Sequence, residues 1–483
     1  MKLRNHVLIL SVALGVSALR AQETSQLEQL QQQVRQLQQT QENSDRVQRE
    51  QRQLIESLAK QVADLTKQQA DEAEKSKLTQ QLASELPAQS GMNAPPATSP
   101  PIAVARAGSA YMNISFDTVM TAGGSTAKDP SAFLQLGDHD PQKNGFNLRN
   151  AEISLDGAVD PYFKGFANIV LKLDNNNETE IELEEAYVQS TSLPANLQLK
   201  AGQFFANFGR QNPTHPHTWA FVDQPIILGR AFGPDGLRGV GTQLSWLVPT
   251  PFYTEAFLGV FDGQGGTAFS FRNPGDPDSL GVDRFHGRAT TNRTLSGFGD
   301  LVFVPRLASS FELTDTQTLM VGASAAFGPN DTGANTRTQI FGLDAYWKWK
   351  PADADAGFPF VSWQTEVLFR RFEAGADPLA PTPLPSETLR DWGAYSQVAW
   401  GFTPRWVAAL RGEYATGNTA ANDANEVFRG DRLRISPNLT FYLSEFSKIR
   451  LQFNYDHGDR FGVEQSIWLQ LEFMLGAHAA HKF

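Results

Sequence analysis

The chain has 483 residues, of which 41% are hydrophobic and 11% aromatic, and its formal net charge is −11 at pH 7. An acidic chain is poorly suited to nucleic acid, so we expect no nucleic-acid partner. Cysteine is absent, which excludes a disulfide framework and a lipid anchor on cysteine.

Residues 1–21 are typical of a secretory signal peptide. Lys2 and Arg4 precede an apolar run from Val7 to Val16, and small residues follow it. The run is too short and wrongly flanked for a membrane span. We expect cleavage after Ala21, with Ala18 as the alternative, and export of the mature chain from the cytoplasm.

Residues 22–86 are rich in glutamine and predict an α-helical coiled coil in the periplasm. Two groups of apolar residues share one heptad register: Leu27, Leu30, Val34 and Leu37, then Ile55, Leu58, Val62 and Leu65. The same positions between the groups are polar: Gln41, Ser44, Gln48 and Gln51. This pattern indicates a weak, self-associating coil, with a single solvated amphipathic helix as the alternative. Residues 87–105, rich in Pro, Ser and Ala, predict an extended linker.

Residues 106–483 alternate between apolar and polar side chains. In "RLRISPNLTFYL", Leu433, Ile435 and Leu439 share one face, and Arg432 and Arg434 share the other. No apolar run reaches the ~18 residues of a membrane-spanning helix. A spanning chain of this kind must close into a β-barrel, with apolar side chains toward lipid and polar ones inside.

The turns support this fold class. Every second connection is short, as in "VDPY", "LPAN" and "FTPR", and the others are long and polar, as in "TGNTAANDANEVF". Short turns at one rim and long loops at the other are typical of bacterial outer-membrane barrels. We predict an all-β transmembrane barrel of about 16 antiparallel strands in contact with outer-membrane lipid. The strands are expected to begin near Ala110, Phe146, Tyr162, Ile181, Asn196, Arg238, Phe252, Leu301, Gln317, Arg337, Pro359, Arg390, Arg405, Phe428, Lys448 and Gln465.

The stretches "GFNLRNAEISLDGAVDPYFKGFANIVL" and "ELEEAYVQSTSLPANLQLKAGQFFANFGRQN" together resemble the phosphate-selective porin family. The resemblance covers residues 145–212 and continues beyond them only as strand rhythm. It implies a sixteen-stranded, usually trimeric porin whose third outward loop folds into the lumen. We therefore expect a homotrimer that allows passive diffusion of small hydrophilic, ionic solutes.

The third outward loop, residues 209–237, is the predicted constriction. Its apolar residues Trp219, Phe221, Ile226 and Ile227 need an apolar surface, so the loop should pack inside the barrel. Its candidate pore residues are Arg210, His215, His217, Trp219, Asp223, Arg230 and Arg238. For the arginines, anchoring the loop to the wall is the favoured role.

The predicted lumen has mixed charge. Alternation places Glu180, Glu182 and Glu184 opposite Ile181 and Leu183, hence inside. Four arginines are also predicted inside: Arg411, Arg432, Arg434 and Arg450. Carboxylates favour cations and arginines favour anions, so the selectivity remains open.

Histidines suggest a second hypothesis, metal binding. The run "HPHTWAFVDQP", with His215 and His217, resembles outer-membrane proteins described as zinc-regulated receptors. Two histidines cannot complete a tetrahedral zinc site. Other candidate ligands are predicted in outward loops, near acidic residues such as Asp138 and Asp140: His139, His286 and His457. The alternative is that polar loops simply collect His and Asp. Apart from zinc, bound or transported, no cofactor is expected.

Two further classes of function can be compared with a channel. An enzyme is not expected, because the chain has no G-x-S-x-G motif, no H-E-x-x-H motif and no cysteine. A structural envelope tether, with the barrel as anchor and the coiled coil as spacer, remains an alternative.

The coiled coil generates a first prediction. Deletion of residues 22–86 should lower both the fraction of trimer and its thermal stability, because the helices would no longer associate. Native mass spectrometry and heat dissociation of the detergent-solubilised trimer would measure this. Unchanged mass and stability would contradict a role in assembly.

Overall fold

The computed structural model describes residues 102–107, 110–158, 160–279, 281–355 and 357–476. The predicted signal peptide and coiled coil lie outside these residues. Among the described residues, no helix has the length and apolar character needed to cross a membrane.

Sixteen antiparallel strands form a closed barrel, as predicted. They are β2 (Ala110–Ser125), β3 (Gly145–Ala158), β4 (Phe163–Leu173), β5 (Thr179–Ser190), β6 (Leu197–Phe205), β7 (Arg238–Leu247), β8 (Tyr253–Phe261), β12 (Val302–Thr314), β13 (Gln317–Pro329), β14 (Arg337–Trp349), β15 (Phe360–Ala374), β16 (Glu387–Thr403), β17 (Trp406–Gly417), β18 (Arg432–Ser444), β19 (Ser447–Gly458) and β20 (Gly462–Leu475). Each strand pairs with the next, and β2 pairs with β20 from Phe116↔Leu475 to Ser125↔Ser466 to close the barrel. The largest differences from the predicted starts are at β16, β18 and β20.

The two faces of the strands follow the predicted alternation. On β20, Ile467 and Leu469 are 51% and 48% exposed, whereas Trp468 and Gln470 are 0% and 2% exposed. The exposed side chains form the outer apolar surface that lipid requires, and the buried ones face the lumen.

The two rims differ as expected. Short turns join the strands at one end, which is the periplasmic end in outer-membrane barrels. The outer loops at the other end are L1 (126–144), L2 (174–178), L3 (206–237), L4 (262–301), L5 (330–336), L6 (375–386), L7 (418–431) and L8 (459–461). L2 and L8 are as short as the periplasmic turns, so the predicted contrast holds for the other outer loops.

Several small elements were not predicted. Strand β1 (Ile102–Ala107) pairs with the first residues of β2 and begins within the range predicted for the linker. L4 contains a small sheet of β9 (Asp276–Pro277), β10 (Asp283–Phe285) and β11 (Arg288–Ala289). L3 contains a short helix, α1 (Ile226–Phe232). These elements are too short to show a clear hydrophobic period in the sequence.

L3 folds into the lumen, as predicted. Every residue of α1 is buried, and Phe232 packs edge-on against Phe208 with ring centroids 4.9 Å apart. Phe271 of L4 and Val302 of the wall belong to the same apolar cluster. The cluster gives the apolar residues of L3 the surface that they require.

Gly202 on β6 explains the glycine of the "GQF" segment. Its φ is +136°, and a Cβ there would lie 2.2 Å from the carbonyl oxygen of Ala186 on the neighbouring strand. Only glycine adopts this backbone conformation without strain and allows so close an approach.

Gly202→Val should therefore lower the yield of folded barrel, because the side chain would push β5 and β6 apart. The measurement is the fraction of heat-modifiable protein on SDS gels after outer-membrane extraction. Gly165→Ala on β4 is the matched control, since a Cβ at Gly165 meets nothing within 4 Å. Equal yields for both variants would contradict this account.

Candidate functional site

The two ends of L3 are tied together at its neck. The side-chain amide of Asn212 donates to the carbonyls of Ala206 and Leu237, at 2.8 and 3.0 Å, and its oxygen accepts from the Leu237 N–H. From the neck the loop reaches the opposite wall, where the N–H groups of Arg210 and Gln211 donate to Glu366 on β15. L3 therefore crosses the lumen.

L3 then carries its two histidines to the wall formed by β2–β5. His215 and His217 are 1% and 4% exposed, and their rings stack with centroids 5.8 Å apart. They meet three buried wall carboxylates, and we call the five residues the His–carboxylate cluster: Asp117, Glu152, Glu184, His215 and His217.

Both histidines direct Nδ1 at the carboxylates. His215 Nδ1 lies 2.8 Å from Glu184 Oε2 and 3.6 Å from Glu152 Oε2. His217 Nδ1 lies 3.3 Å from the same Glu152 oxygen and 3.4 Å from Asp117 Oδ2. Glu152 thus contacts both histidines. Three of the five cluster residues were sequence candidates, namely Glu184, His215 and His217.

A β-bulge in β5 adds a residue that the alternation missed. The pairing of β4 with β5 shifts between Asn168↔Glu185 and Ile169↔Leu183. The bulge lets the consecutive Glu184 and Glu185 both be buried. Glu185 Oε2 lies 3.0 Å from His215 Nε2, on the far side of the imidazole ring from the cluster.

Asn168 on β4 holds the centre of the acidic wall. Its amide nitrogen donates to Glu184 Oε2 at 2.8 Å and to Glu152 Oε2 at 3.1 Å, and it lies 3.1 Å from His215 Nδ1. Its oxygen accepts from the Ser154 hydroxyl at 2.8 Å. These contacts bring the two carboxylates to the same point.

A second group of side chains of the types that bind metal ions lies toward the outer rim. Asp138 and His139 of L1 and Asp235 of L3, each half-buried, place one ligand atom apiece within 4.8 Å of the others; we call them the outer triad. His139 Nε2 lies 3.4 Å from Glu184 Oε1, which links the outer triad to the cluster.

The charges around the loop histidines favour protonation. Burial alone would lower the pKa of His215, but Glu184 and Glu152 outweigh it and raise the pKa well above its ordinary value. Burial likewise opposes protonation of His139, but Glu184 and Asp138 raise its pKa to about 9.

Farther along L3, Asp223 meets a basic wall. Arg411 Nη2 lies 2.5 Å from Asp223 Oδ1, and Arg434 Nη1 lies 3.1 Å from Asp223 Oδ2. Burial would raise the pKa of Asp223, but Arg434 and Arg411 outweigh it and lower the pKa to about 2. Arg432 and Arg434 both bind Asp456 and donate to the Leu134 carbonyl of L1. Arg434 thus holds both L1 and L3.

The arginines at the two ends of L3 anchor it. Arg230 donates to the carbonyls of Arg429 and Gly430 in L7, and Arg238 on β7 pairs with Glu182. The Arg210 guanidinium stacks over the Tyr346 ring at 3.8 Å.

Three further candidate residues are Glu180, Trp219 and Arg450. Glu180 is exposed near the rim, 3.9 Å from Lys172. The Trp219 ring N–H donates to Thr214, and Arg450 donates to the Trp219 carbonyl.

Two predicted metal ligands lie elsewhere. His286 of L4 contacts Glu426 of L7 at 3.1 Å, apart from the cluster. His457 was wrongly placed in a loop: it lies on β19 and its side chain is exposed, because the strand continues to Gly458 and keeps the outward register of Leu451 and Phe453.

A cavity of about 570 Å³ lies between L3 and the periplasmic end of the barrel. Its charged lining residues are Glu185, Lys200, Arg210, Glu255 and Arg306, and Trp219 also lines it. Arg306 is paired with Asp344 at 2.5 Å. Lys200 and Arg210 form no ion pair with a described carboxylate and instead lie over the aromatic rings of Tyr187 and Tyr346.

The closed barrel with an inward third loop defines a porin-type outer-membrane barrel. No family model matches the sequence. An uncharacterized protein of Aquifex aeolicus (strain VF5) is 31% identical over 359 residues, which cover 71% of each chain. The chain belongs to the same family as that protein.

Solved structures share the fold. The outer membrane channel DcaP of Acinetobacter baumannii has a TM-score of 0.50 at 10% identity, covering 76% of this chain and 97% of that one. The anion-selective porin from Comamonas acidovorans has a TM-score of 0.47 at 7% identity, covering 76% and 100%. The likeness to DcaP shows a porin-like fold and does not single out phosphate-selective porins.

Asp223 generates a stability prediction. Asp223→Asn should destabilise the folded barrel by about 1.5–3 kcal/mol, because Arg411 and Arg434 would each lose a buried charged acceptor and keep only Glu413 and Asp456. A lowered pKa means that this contribution is complete above the ordinary pKa of 3.8 and is lost as the pH falls toward about 2. Heat-modifiability on SDS gels at pH 7 and at low pH measures both effects. Asp353→Asn, at an exposed aspartate in a periplasmic turn, should melt like wild type, and equal melting of the two variants would contradict the prediction.

Proposed function

We propose that the protein is a porin-type channel for passive diffusion of small hydrophilic ions across the bacterial outer membrane, without enzymatic activity. The observation that carries this proposal is the charged cavity beneath L3 in a barrel of sixteen strands. A barrel of about eight strands would be filled by side chains, whereas sixteen leave room for an aqueous path.

The cavity favours anions. Lys200 and Arg210 present positive charge that no described carboxylate pairs with, whereas Arg306 is neutralised by Asp344. Of the two acidic lining residues, Glu185 is engaged by His215 and Glu255 accepts from the Tyr253 hydroxyl, so two cations without an ion pair face one such carboxylate. Cationic side chains lining a pore attract anions and repel cations. This agrees with the resemblance to phosphate-selective porins, so we propose small anions, phosphate among them, as the solutes.

Packing in the outer half restricts the path. Helix α1 and the L4 residues beside it are buried in the apolar cluster, and the His–carboxylate cluster occupies the β2–β5 wall. We therefore propose a narrow channel with small unit conductance. We also propose a homotrimer, which rests on the family resemblance.

Planar bilayers test the function. Purified protein should give small, discrete current steps, and the reversal potential in a KCl gradient should indicate anion preference. Arg210→Ala should shift that potential toward cation preference, because it removes a positive charge from the cavity. Arg337→Ala, at an exposed residue at the outer end of β14, is the matched control.

Absence of current at any voltage would overturn the channel and leave the structural tether. Current with an unchanged reversal potential in Arg210→Ala would leave the channel standing and remove the anion assignment.

A further inference from the structure

The His–carboxylate cluster consists of two potential metal-binding triads that share one residue. Asp117, Glu152 and His217 form the first, and Glu152, Glu184 and His215 form the second. Within each triad the ligand atoms lie within 4.8 Å of one another, and all five residues are buried. Glu152 therefore has the position of a carboxylate that bridges two adjacent metal sites.

The distances in the first triad match a tetrahedral metal ion. Zinc binds nitrogen and oxygen ligands at about 2.0–2.2 Å, so two ligands of one tetrahedral ion lie about 3.3–3.6 Å apart. His217 Nδ1 lies 3.4 Å from Asp117 Oδ2 and 3.3 Å from Glu152 Oε2. The corresponding distance from His215 Nδ1 to Glu152 Oε2 is 3.6 Å.

The orientation of His215 also fits a ligand. Its Nε2 is held by Glu185 at 3.0 Å, so a metal ion that displaces the proton from Nδ1 binds a lone pair that already faces the cluster. Metal-binding histidines almost always donate their other ring N–H to a carboxylate or carbonyl in this way. His139 of the outer triad has the same arrangement, because its Nδ1 lies 2.9 Å from the Arg149 carbonyl and its Nε2 faces Glu184.

Charge supplies an independent reason. Three carboxylates are buried together, and a buried carboxylate is costly unless a positive group compensates it. Glu152 is fully buried, and its Oε1 accepts no hydrogen bond from the described residues. A divalent ion that replaces the histidine protons would supply this positive charge and also the contact that Glu152 Oε1 lacks. Imidazole with carboxylate suits zinc and related transition metals, whereas magnesium and calcium prefer oxygen ligands alone.

We propose that the His–carboxylate cluster binds a divalent transition-metal ion of the zinc class. Asp117, Glu152 and His217 are the first ligands, and Glu184 with His215 extends the site through Glu152. Because the histidines belong to L3 and the carboxylates to β2, β3 and β5, the ion ties the constriction loop to the wall. The binding does not depend on whether the barrel conducts.

The test is a titration of full-length mature protein in detergent, stripped of metal with a chelator. The protein should compete with a fluorescent indicator for added zinc, and zinc should raise the temperature at which the barrel is heat-modified. Glu152→Gln keeps the side-chain volume, removes the shared carboxylate and should abolish both effects. Cobalt chloride should give the visible absorption of tetrahedral cobalt in wild-type protein, which needs no variant to fold.

Glu185→Gln tests the positioning of His215. Loss of the carboxylate that orients a metal-binding histidine typically reduces metal affinity by about 10–100-fold, and the same loss is expected here. His457→Ala removes a histidine from the outer surface and should bind zinc like wild type.

Three results would overturn the proposal. The first is no zinc binding to folded wild-type protein at a zinc concentration about 100 times a micromolar Kd, which would saturate a site of that affinity. The others are wild-type zinc affinity in folded Glu152→Gln, and displacement of the ion by magnesium as effectively as by zinc. Zinc binding by a barrel that carries no current would support the site and contradict only the proposed channel.

Discussion

Lipid cannot hydrogen-bond to the backbone, and this constraint organises the whole molecule. Every strand must have a partner on both sides, so β2 must meet β20 and the sheet must close. Closure gives each strand one face toward lipid and one toward the lumen. Polar and charged side chains of the strands therefore point into the lumen, and those that L3 covers are buried and need a counter-charge. The paired arginines and carboxylates inside the barrel follow from that requirement.

The walls of the lumen differ in charge, and L3 is complementary to both. The β2–β5 wall presents Glu152 and Glu184, and L3 meets it with His215 and His217. The β17–β19 wall presents Arg411 and Arg434, and L3 meets it with Asp223. Between these contacts and the neck, α1 fills an apolar section of the barrel. Each charged segment of L3 thus faces a wall of opposite charge.

The sequence allowed much of the fold to be predicted, because a barrel strand repeats every two residues and this period survives in a single chain. It did not reveal α1, whose seven residues span only two turns. Glu185 was missed because a bulge breaks the alternation, although the slip from Ile181 and Leu183 to Ala186 and Val188 was a readable signal. The meeting of His217 with Asp117 depends on how distant strands pair and how L3 folds, and no local pattern encodes either. His457 shows the converse, since its outward position follows from the alternation itself.

L3 contacts both sides of the seam where the first and last barrel strands meet. His217 lies beside Asp117 on β2, and the Val222 N–H donates to Gln452 on β19, across the β2–β20 junction. A slip of two residues at that junction would preserve the inward and outward faces of every strand, so alternation alone could not detect it. It would, however, move the two contact points of L3 by about 7 Å relative to each other along the strands. Only one alignment of β2 with β20 allows L3 to make both contacts. The loop thus specifies the register in which the barrel closes.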